Sequence, residues 1–415
     1  MSKNNKNKLV PKLRFPDFIK DKEWQQTTIG EIGKFYYGKS APKWSLEIDA
    51  PTPCVRYGEL YTKFDTIIHK IYSRTNIDPD NLKFSKGGEI LVPRVGEVPQ
   101  DFAKHCCYLP FENIAIGEMI SVFETNEYPI FYTHYFRTLW KEFAEVVEGQ
   151  NVKNLYYVNL EPISVGKPSY KEQQKIASCL SSIDEVITAE NQKLDILKEH
   201  KKGLLQNLFP RKGETVPQLR FKEFENNGEW EETTLTQVAD YENGKAHEQD
   251  IADDGDYIVV NSKFISSDGN VTKFANIAFC PAQKGDILMV LSDVPNGKAI
   301  AKCLLVEENN RYTVNQRICR ITPRSFNSKI LYYLLNRNPY FLAFDDGVKQ
   351  TNLRKEDVLN CPLLIPTNPK EQQMIADTLS SLDSLINTQS QKVETLKLHK
   401  KGLLQGLFPI ISNEA

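Results

Sequence analysis

A forty-residue segment occurs twice in this chain, and that repetition constrains the fold more than any other feature. Lys171–Pro210 reads "KEQQKIASCLSSIDEVITAENQKLDILKEHKKGLLQNLFP" and Lys370–Pro409 reads "KEQQMIADTLSSLDSLINTQSQKVETLKLHKKGLLQGLFP", with roughly 25 of 40 positions identical. A second repeat lies upstream of each. "VPKLRFPDFIKDKEWQQTTIGEIGKFYYGK" (Val10–Lys39) returns as "VPQLRFKEFENNGEWEETTLTQVADYENGK" (Val216–Lys245). Between them the two bodies have diverged, leaving only echoes. "GGEILVPRVGE" (Gly87–Glu97) matches "KGDILMVLSDV" (Lys284–Val294), each a buried strand after a Gly-acidic turn. "GQNVKNL" (Gly149–Leu155) matches "GVKQTNL" (Gly347–Leu353). Simple drift after duplication would loosen all parts alike. The near-constant segments therefore contact something common to both halves, and the bodies contact something different.

Within the first copy, apolar residues fall at Ile176, Leu180, Ile183, Ile187, Leu194, Leu197, Leu204 and Leu208. The second copy repeats them at Ile375, Leu379, Leu382, Ile386, Val393, Leu396, Leu403 and Leu407. Steps of four and three make this the seam of a coiled coil. About 38 residues at 1.5 Å rise give a rod of roughly 57 Å. Ser169 and Asn368 are placed to cap the N-termini, and Phe-Pro ends each rod. Glu190 and Lys201, then Gln389 and Lys400, are polar interruptions of the stripe. An antiparallel register that sets Glu190 opposite Lys400 and Lys201 opposite Gln389 also pairs Ile187 with Leu403 and Leu204 with Ile386. It leaves the basic pairs of "HKKGLLQ" free for partners or DNA.

The remaining composition excludes several classes. No run of about 18 apolar residues suggests a membrane span. The basic, Asn-rich "MSKNNKNKLVPKLRF" lacks the apolar centre of a secretory signal and is expected to fray. Eight scattered cysteines without a C-x-x-C pair, and six dispersed histidines, offer no metal-ligand spacing. They suit reduced, packed thiols in the cytoplasm. A net charge of −2 argues against a generally basic nucleic-acid binder but permits local basic loops.

Two diverged bodies, each opening "VP.LRF..F...EW..TT" and carrying a "G-[ED]-I-L" strand, alternate with helices that open "KEQQ.IA..LSS.D" and close "HKKGLLQ.LFP". Over essentially its whole length the chain resembles the specificity subunit of bacterial type I restriction–modification enzymes. The resemblance implies a mixed α/β fold: two globular target-recognition domains joined by two long antiparallel coiled-coil helices, related by a pseudo-two-fold internal repeat. The expected segments are 1–168 and 211–367 for recognition, 169–210 and 368–410 for the spacer helices, and 411–415 as a tail. It implies that each domain reads one half of a split double-stranded DNA target, and that the helices set the gap and dock two modification subunits. Translocating nuclease subunits complete such a complex. No cofactor is expected in this subunit; S-adenosylmethionine, ATP and magnesium belong to the partners.

The residues themselves point away from catalysis. "RNPYF" (Arg337–Phe341) has one proline where an adenine methyltransferase motif has two, and reads as a helix end and turn. Pro16-Asp17 and Pro79-Asp80 lack the following Asp/Glu-x-Lys of a metal nuclease. Gly33–Ser40 satisfies G-x-x-x-x-G-K-[ST], but the second copy breaks it with Ala239 and Ala246.

A DNA reader needs Lys/Arg for phosphates and Arg, Asn, Gln or Lys for base edges. Turn-proximal candidates in the first body are Lys39, Lys43, Arg56, Tyr57, Arg94, Lys153 and Asn154. In the second they are Lys245, Asn261, Lys263, Lys298, Gln316, Arg317, Lys349, Gln350, Asn352 and Arg354. Tyr36, Tyr37, Trp44, Tyr156 and Tyr157 read as packing residues, and Trp24 and Trp230 as matching core anchors.

Overall fold

The structure, a computed structural model, describes residues 9–409 and 411. The chain divides into two compact units, one of residues 1–191 and 391–415, the other of residues 192–390. Each unit therefore holds one body, the first half of the long helix that follows it and the second half of the other long helix. The long helices span Tyr170–Leu208 and Pro369–Leu407.

The two bodies share one topology despite their divergence. In the first, a four-stranded antiparallel sheet runs in the order Gly33–Tyr37, Ile120–Thr125, Glu89–Pro93, Cys107–Leu109. In the second, the order is Ala239–Asn243, Ile318–Pro323, Ile287–Val290, Cys303–Leu305. The "G-[ED]-I-L" strand lies inside each sheet and is buried along its whole length. Its acidic residue closes the preceding turn: Glu89 accepts from the Lys86 amide, and Asp286 accepts from the Gln283 amide at 2.8 Å. A second sheet in each body contains one parallel pair, Thr52–Val55 with Glu112–Ile116 and Tyr257–Val260 with Tyr312–Val314. Two-residue ribbons, Val95–Gly96 with Lys153–Asn154 and Ser292–Asp293 with Thr351–Asn352, account for the echoed "GQNVKNL" and "GVKQTNL" segments.

Each body grips the start of its own helix through a buried ion pair. Arg14 of "KLRF" donates twice to Glu172 at 2.8 Å, with side-chain exposures of 8% and 1%. Arg220 of "QLRF" does the same to Glu371 at 2.8 and 2.9 Å. The next residue repeats the pattern, since Gln173 accepts from the Tyr128 amide and Gln372 from the Asn327 amide. Thus the repeated "LRF" and "EQQ" are two sides of one lock. Ser169 and Asn368 cap the helices as expected, receiving Glu172 N–H and Lys370 N–H.

The far end of the other helix closes each core. In the first unit Leu407 and Phe408 join Trp24, Phe131, Tyr135, Ile176 and Leu180. Phe408 lies 4.8 Å from the ring of Tyr135 and 5.4 Å from that of Phe131. In the second unit Leu208, Leu204 and Phe209 join Trp230, Ile330, Ile375 and Leu379. The outer turns of the heptad stripe are therefore body core rather than coiled-coil seam. Seam packing is left to the middle, where Leu194, Leu382 and Val393 are buried and Ile183, Ile187, Leu197, Ile386 and Leu396 half-buried.

Within each unit the helix segments run antiparallel, but the expected register is wrong by six residues. Lys400 pairs with Asp184 instead of Glu190, and Lys201 with Asp383 instead of Gln389. Glu190 pairs with Lys392. A slide of nearly one heptad keeps apolar residues facing apolar residues, so the stripe alone does not fix it. The carboxylates beside the stripe do. Lys201 and Lys400 are consequently engaged, and only their neighbours Lys202 and Lys401 face solvent.

The N-terminal expectation also needs correcting. Residues 1–8 and 412–415, parts of the expected frayed tip and tail, lie outside the described residues. From Leu9 onward the segment is fastened: Leu9 accepts from the Trp24 amide and the Leu13 amide donates to Gly406 O, both at 2.8 Å. The eight cysteines are unpaired, and all but half-exposed Cys179 are buried. Burial alone pushes the Cys361 thiol up to about 12. No helix among the described residues is long and apolar enough to cross a membrane.

Candidate nucleic-acid interface

In both bodies the strand after the "TT" turn ends in Gly-Lys, and here the candidate residues converge. Gly38 and Gly244 are required by close approach. A Cβ on Gly38 would sit 2.2 Å from Gly117 O, and one on Gly244 would sit 2.1 Å from Asn315 O. The following lysines are tied by their amides, Lys39 to Ile116 O at 2.8 Å and Lys245 to Val314 O at 3.0 Å, with exposed side chains. Gly33–Tyr37 is an extended strand paired with Ile120–Thr125, so it is not a loop whose successive amides wrap a phosphate in the manner of a P-loop.

The first face continues from this lysine in both directions. Gly117 N–H donates to Val55 O at 2.9 Å, bringing in Arg56 and then Tyr57. On the other side, the Arg94 guanidinium lies 4.4 Å from the ring of Tyr37 and 5.3 Å from that of Tyr156. Arg94 O accepts from Leu155 N–H, and Asn154 and Lys153 follow on the ribbon. Lys153 and Asn154 turn inward, donating to Gly149 O at 2.7 Å and Val152 O at 3.3 Å. Lys43 is carried instead on a 3-10 turn, Lys43–Ser45, tied to the strand Ser73–Thr75 through Ser45 and Thr75.

The second face is built on the same frame. Asn315 N–H donates to Val260 O at 3.0 Å, which brings Asn261 beside Lys245 and Gln316. Asn261 caps the short helix Ser262–Ser266 by accepting from Phe264 N–H, and Lys263 lies exposed on that helix. Gln316 donates to Glu248 at 2.8 Å. Arg317 O accepts from Leu291 N–H, leading to the ribbon where Gln350 donates to Ser292 Oγ at 2.6 Å. Asn352 donates to Gln350 O, and Arg354 starts the helix Lys355–Leu359. Asn296 donates to Gly347 O, setting the Lys298 turn beside the Lys349 turn. None of the candidate side chains is buried.

Two features escaped the sequence reading. Tyr37 and Tyr156, read as packing residues, are the plates that hold Arg94; the doublets "FYYG" and "LYYV" were the available signal. Asn315, whose buried Oδ1 has no partner among the described residues, stands at the centre of the second face. No group of acidic, histidine or cysteine side chains among the described residues could hold a metal ion.

The family model for the type I restriction modification DNA specificity domain matches residues 21–199 and again 227–398. The chain belongs to this family of type I restriction–modification specificity subunits. Family members are non-catalytic subunits that give such enzymes their DNA sequence specificity. The specificity subunit of the type I restriction enzyme MjaVIII from Methanocaldococcus jannaschii is 24% identical over 431 residues, covering 95% of this chain and 93% of its own. In fold, the chain is similar to the S subunit of a type I restriction–modification system from M. genitalium, with TM-score 0.65 at 15% identity, covering 97% of this chain and 100% of that one. It is also similar to a chain from a structure on complex assembly and conformational transition of the type I system, with TM-score 0.53 at 14% identity, covering 93% and 97%.

Proposed function

We propose that each body of this specificity subunit reads one half of a bipartite duplex DNA target, through the face centred on Lys39 and Arg94 in one and on Lys245 and Arg317 in the other. In this reading residues 1–168 and 211–367 are the recognition modules, and 169–210 and 368–410 the spacer that sets the gap. The observation that carries it is the contrast between repeated locks and unlike faces. The Arg–Glu lock and the tryptophan that receives the leucine–phenylalanine end recur in both bodies, whereas the two faces share little beyond the Gly-Lys at the strand end.

The helix ends dock two modification subunits, which bring S-adenosylmethionine; nuclease subunits bring ATP and magnesium chemistry, all in the cytoplasm. Support comes from exposed residues identical in both copies: Lys198 and Lys397, His200 and His399, Lys202 and Lys401, Gln206 and Gln405. Between them Gly203 and Gly402 face open space, with nothing within 4 Å of an added Cβ. A mid-helix glycine costs about 1 kcal/mol relative to alanine. The fold itself makes no use of these two, which suits a partner that packs on the helix backbone.

Replacing the first body by one from another specificity subunit, with "LRF", Trp24 and the Tyr135 socket retained, should change one half of the methylated sequence only. An unchanged methylated sequence would refute recognition by the bodies.

A further inference from the structure

The two faces differ in which strand supplies an arginine to one shared point. Arg94 follows the strand Glu89–Pro93 and its amide donates to Met119 O at 3.0 Å. Leu291 follows the matching strand Ile287–Val290 and its amide donates to Arg317 O at 2.8 Å. The flanking registers agree, with Ile120 opposite Pro93 and Ile318 opposite Val290. Arginine and methionine in one body thus become leucine and arginine in the other, across the same hydrogen bond.

We propose that Arg94 and Arg317 are the equivalent specificity-determining residues of the two faces, each presenting its guanidinium to the guanine of a G·C pair in its own half-site. The proposal rests on the reading of the bodies as DNA-recognition modules. Arg94 forms no hydrogen bond or ion pair with an acidic group among the described residues, and its Nε is buried without an acceptor. Most other arginines of the chain are spent on internal acceptors, among them Arg14, Arg74, Arg137, Arg220, Arg320 and Arg324. Tyr37 and Tyr156 hold the guanidinium of Arg94 by cation–π contact, which fixes its plane and leaves the terminal N–H groups to donate. A planar fork held in this way matches the O6 and N7 acceptors of guanine, and the match is bidentate.

Arg317 is set by other means. It is the third residue of a tight turn closed by Ile318 N–H to Asn315 O, and its φ is +68°. That place favours glycine or asparagine, and a strained residue there persists where the surroundings or the function demand it. Its side chain is exposed. Lys39 and Lys245, by contrast, are the same residue at the same place in both faces. A flexible ammonium common to two readers suits phosphate, which carries no sequence information. The arginine that changes strand belongs to the part that differs.

The test is methylome sequencing of cells expressing the chain with its modification subunits. Arg94→Lys keeps the charge and loses the fork. The expected result is that one guanine of one half-site becomes relaxed, discrimination there falling by roughly tenfold or more, with the other half-site intact. Arg317→Lys should relax one guanine of the other half-site alone. A uniform loss of methylation, with every specified base still specified, would make both residues phosphate contacts and overturn the proposal. A wild-type consensus lacking guanine in either half-site would overturn it while leaving bipartite recognition standing. No bipartite consensus at all would sink the reading on which it rests. The double variant Arg94→Leu/Met119→Arg copies the second face's arrangement into the first; it should restore the guanine, and failure to do so with unchanged thermal stability counts against the proposal.

Discussion

Two regions of each body obey opposite rules. Where a body meets the long helices, the copies share their anchors: Arg14 with Glu172 and Arg220 with Glu371, Trp24 beside Phe408 and Trp230 beside Phe209. Where a body presents the candidate face, the backbone agrees and the side chains do not. Shared topology therefore does not require shared chemistry. Part of the constant helix repeat is buried inside its own chain, but its exposed identical residues are more numerous than its buried ones, and burial does not explain them.

The comparison can be broken most violently at the lock. Removing one partner strands a buried charge, at a cost of about 3–5 kcal/mol. Arg14→Ala and Arg220→Ala should lose comparable amounts in chemical denaturation; a large loss from one alone would show that the two sockets are not equivalent.

A smaller effect sharpens one place where the sockets differ. Tyr333 donates to Asp383 Oδ2 at 2.6 Å, while the matching His134 leaves its Nε2, and Asp184 its Oδ2, buried without a partner among the described residues. Burial, then Lys400 and Arg137, hold the His134 imidazole down at about 3, against the opposing pull of Asp65. In the unfolded chain it titrates near 6.5, so between these values the unfolded state binds the extra proton. The contribution is complete above pH 6.5 and is lost as pH falls toward 3. From pH 7.5 to 5 it amounts to about 2 kcal/mol. Asp184, raised by burial against the pull of Lys400, opposes the trend. His134→Tyr should flatten stability between pH 7.5 and 5, read by thermal melts; an unchanged slope would assign the acid sensitivity elsewhere.

The smallest effect concerns Gly203 and Gly402. Alanine at either should stabilise the isolated chain by up to about 1 kcal/mol while weakening co-purification of the modification subunit. Stabilisation with unchanged assembly would remove these glycines from the docking face.

What the sequence made legible follows from distance along the chain. The repeat, the helix limits, the caps and the "G-[ED]-I-L" strands are local signals and could be read directly. The lock was not, because Arg14 and Glu172 are 158 positions apart and nothing local marks them as partners. The helix register was misread because the apolar stripe tolerates a slide of nearly one heptad, while the deciding residues, Asp184 and Asp383, stand beside it. The tyrosine plates around Arg94 come from separate segments, Tyr37 from a strand and Tyr156 from the start of a short helix, so the turn residues included the arginine without what orients it. Burial of the Leu-Leu-x-x-Leu-Phe ends was hidden for a related reason: the same spacing serves a seam and a socket alike.

Because each core is completed by the end of a near-constant helix, a body behaves as an interchangeable cassette. A body with a different face fits the same helices if it supplies an arginine for the helix glutamate and a tryptophan-lined hole for the leucine–phenylalanine plug. The repeated ten residues "KKGLLQ.LFP" then serve both bodies as a common connector.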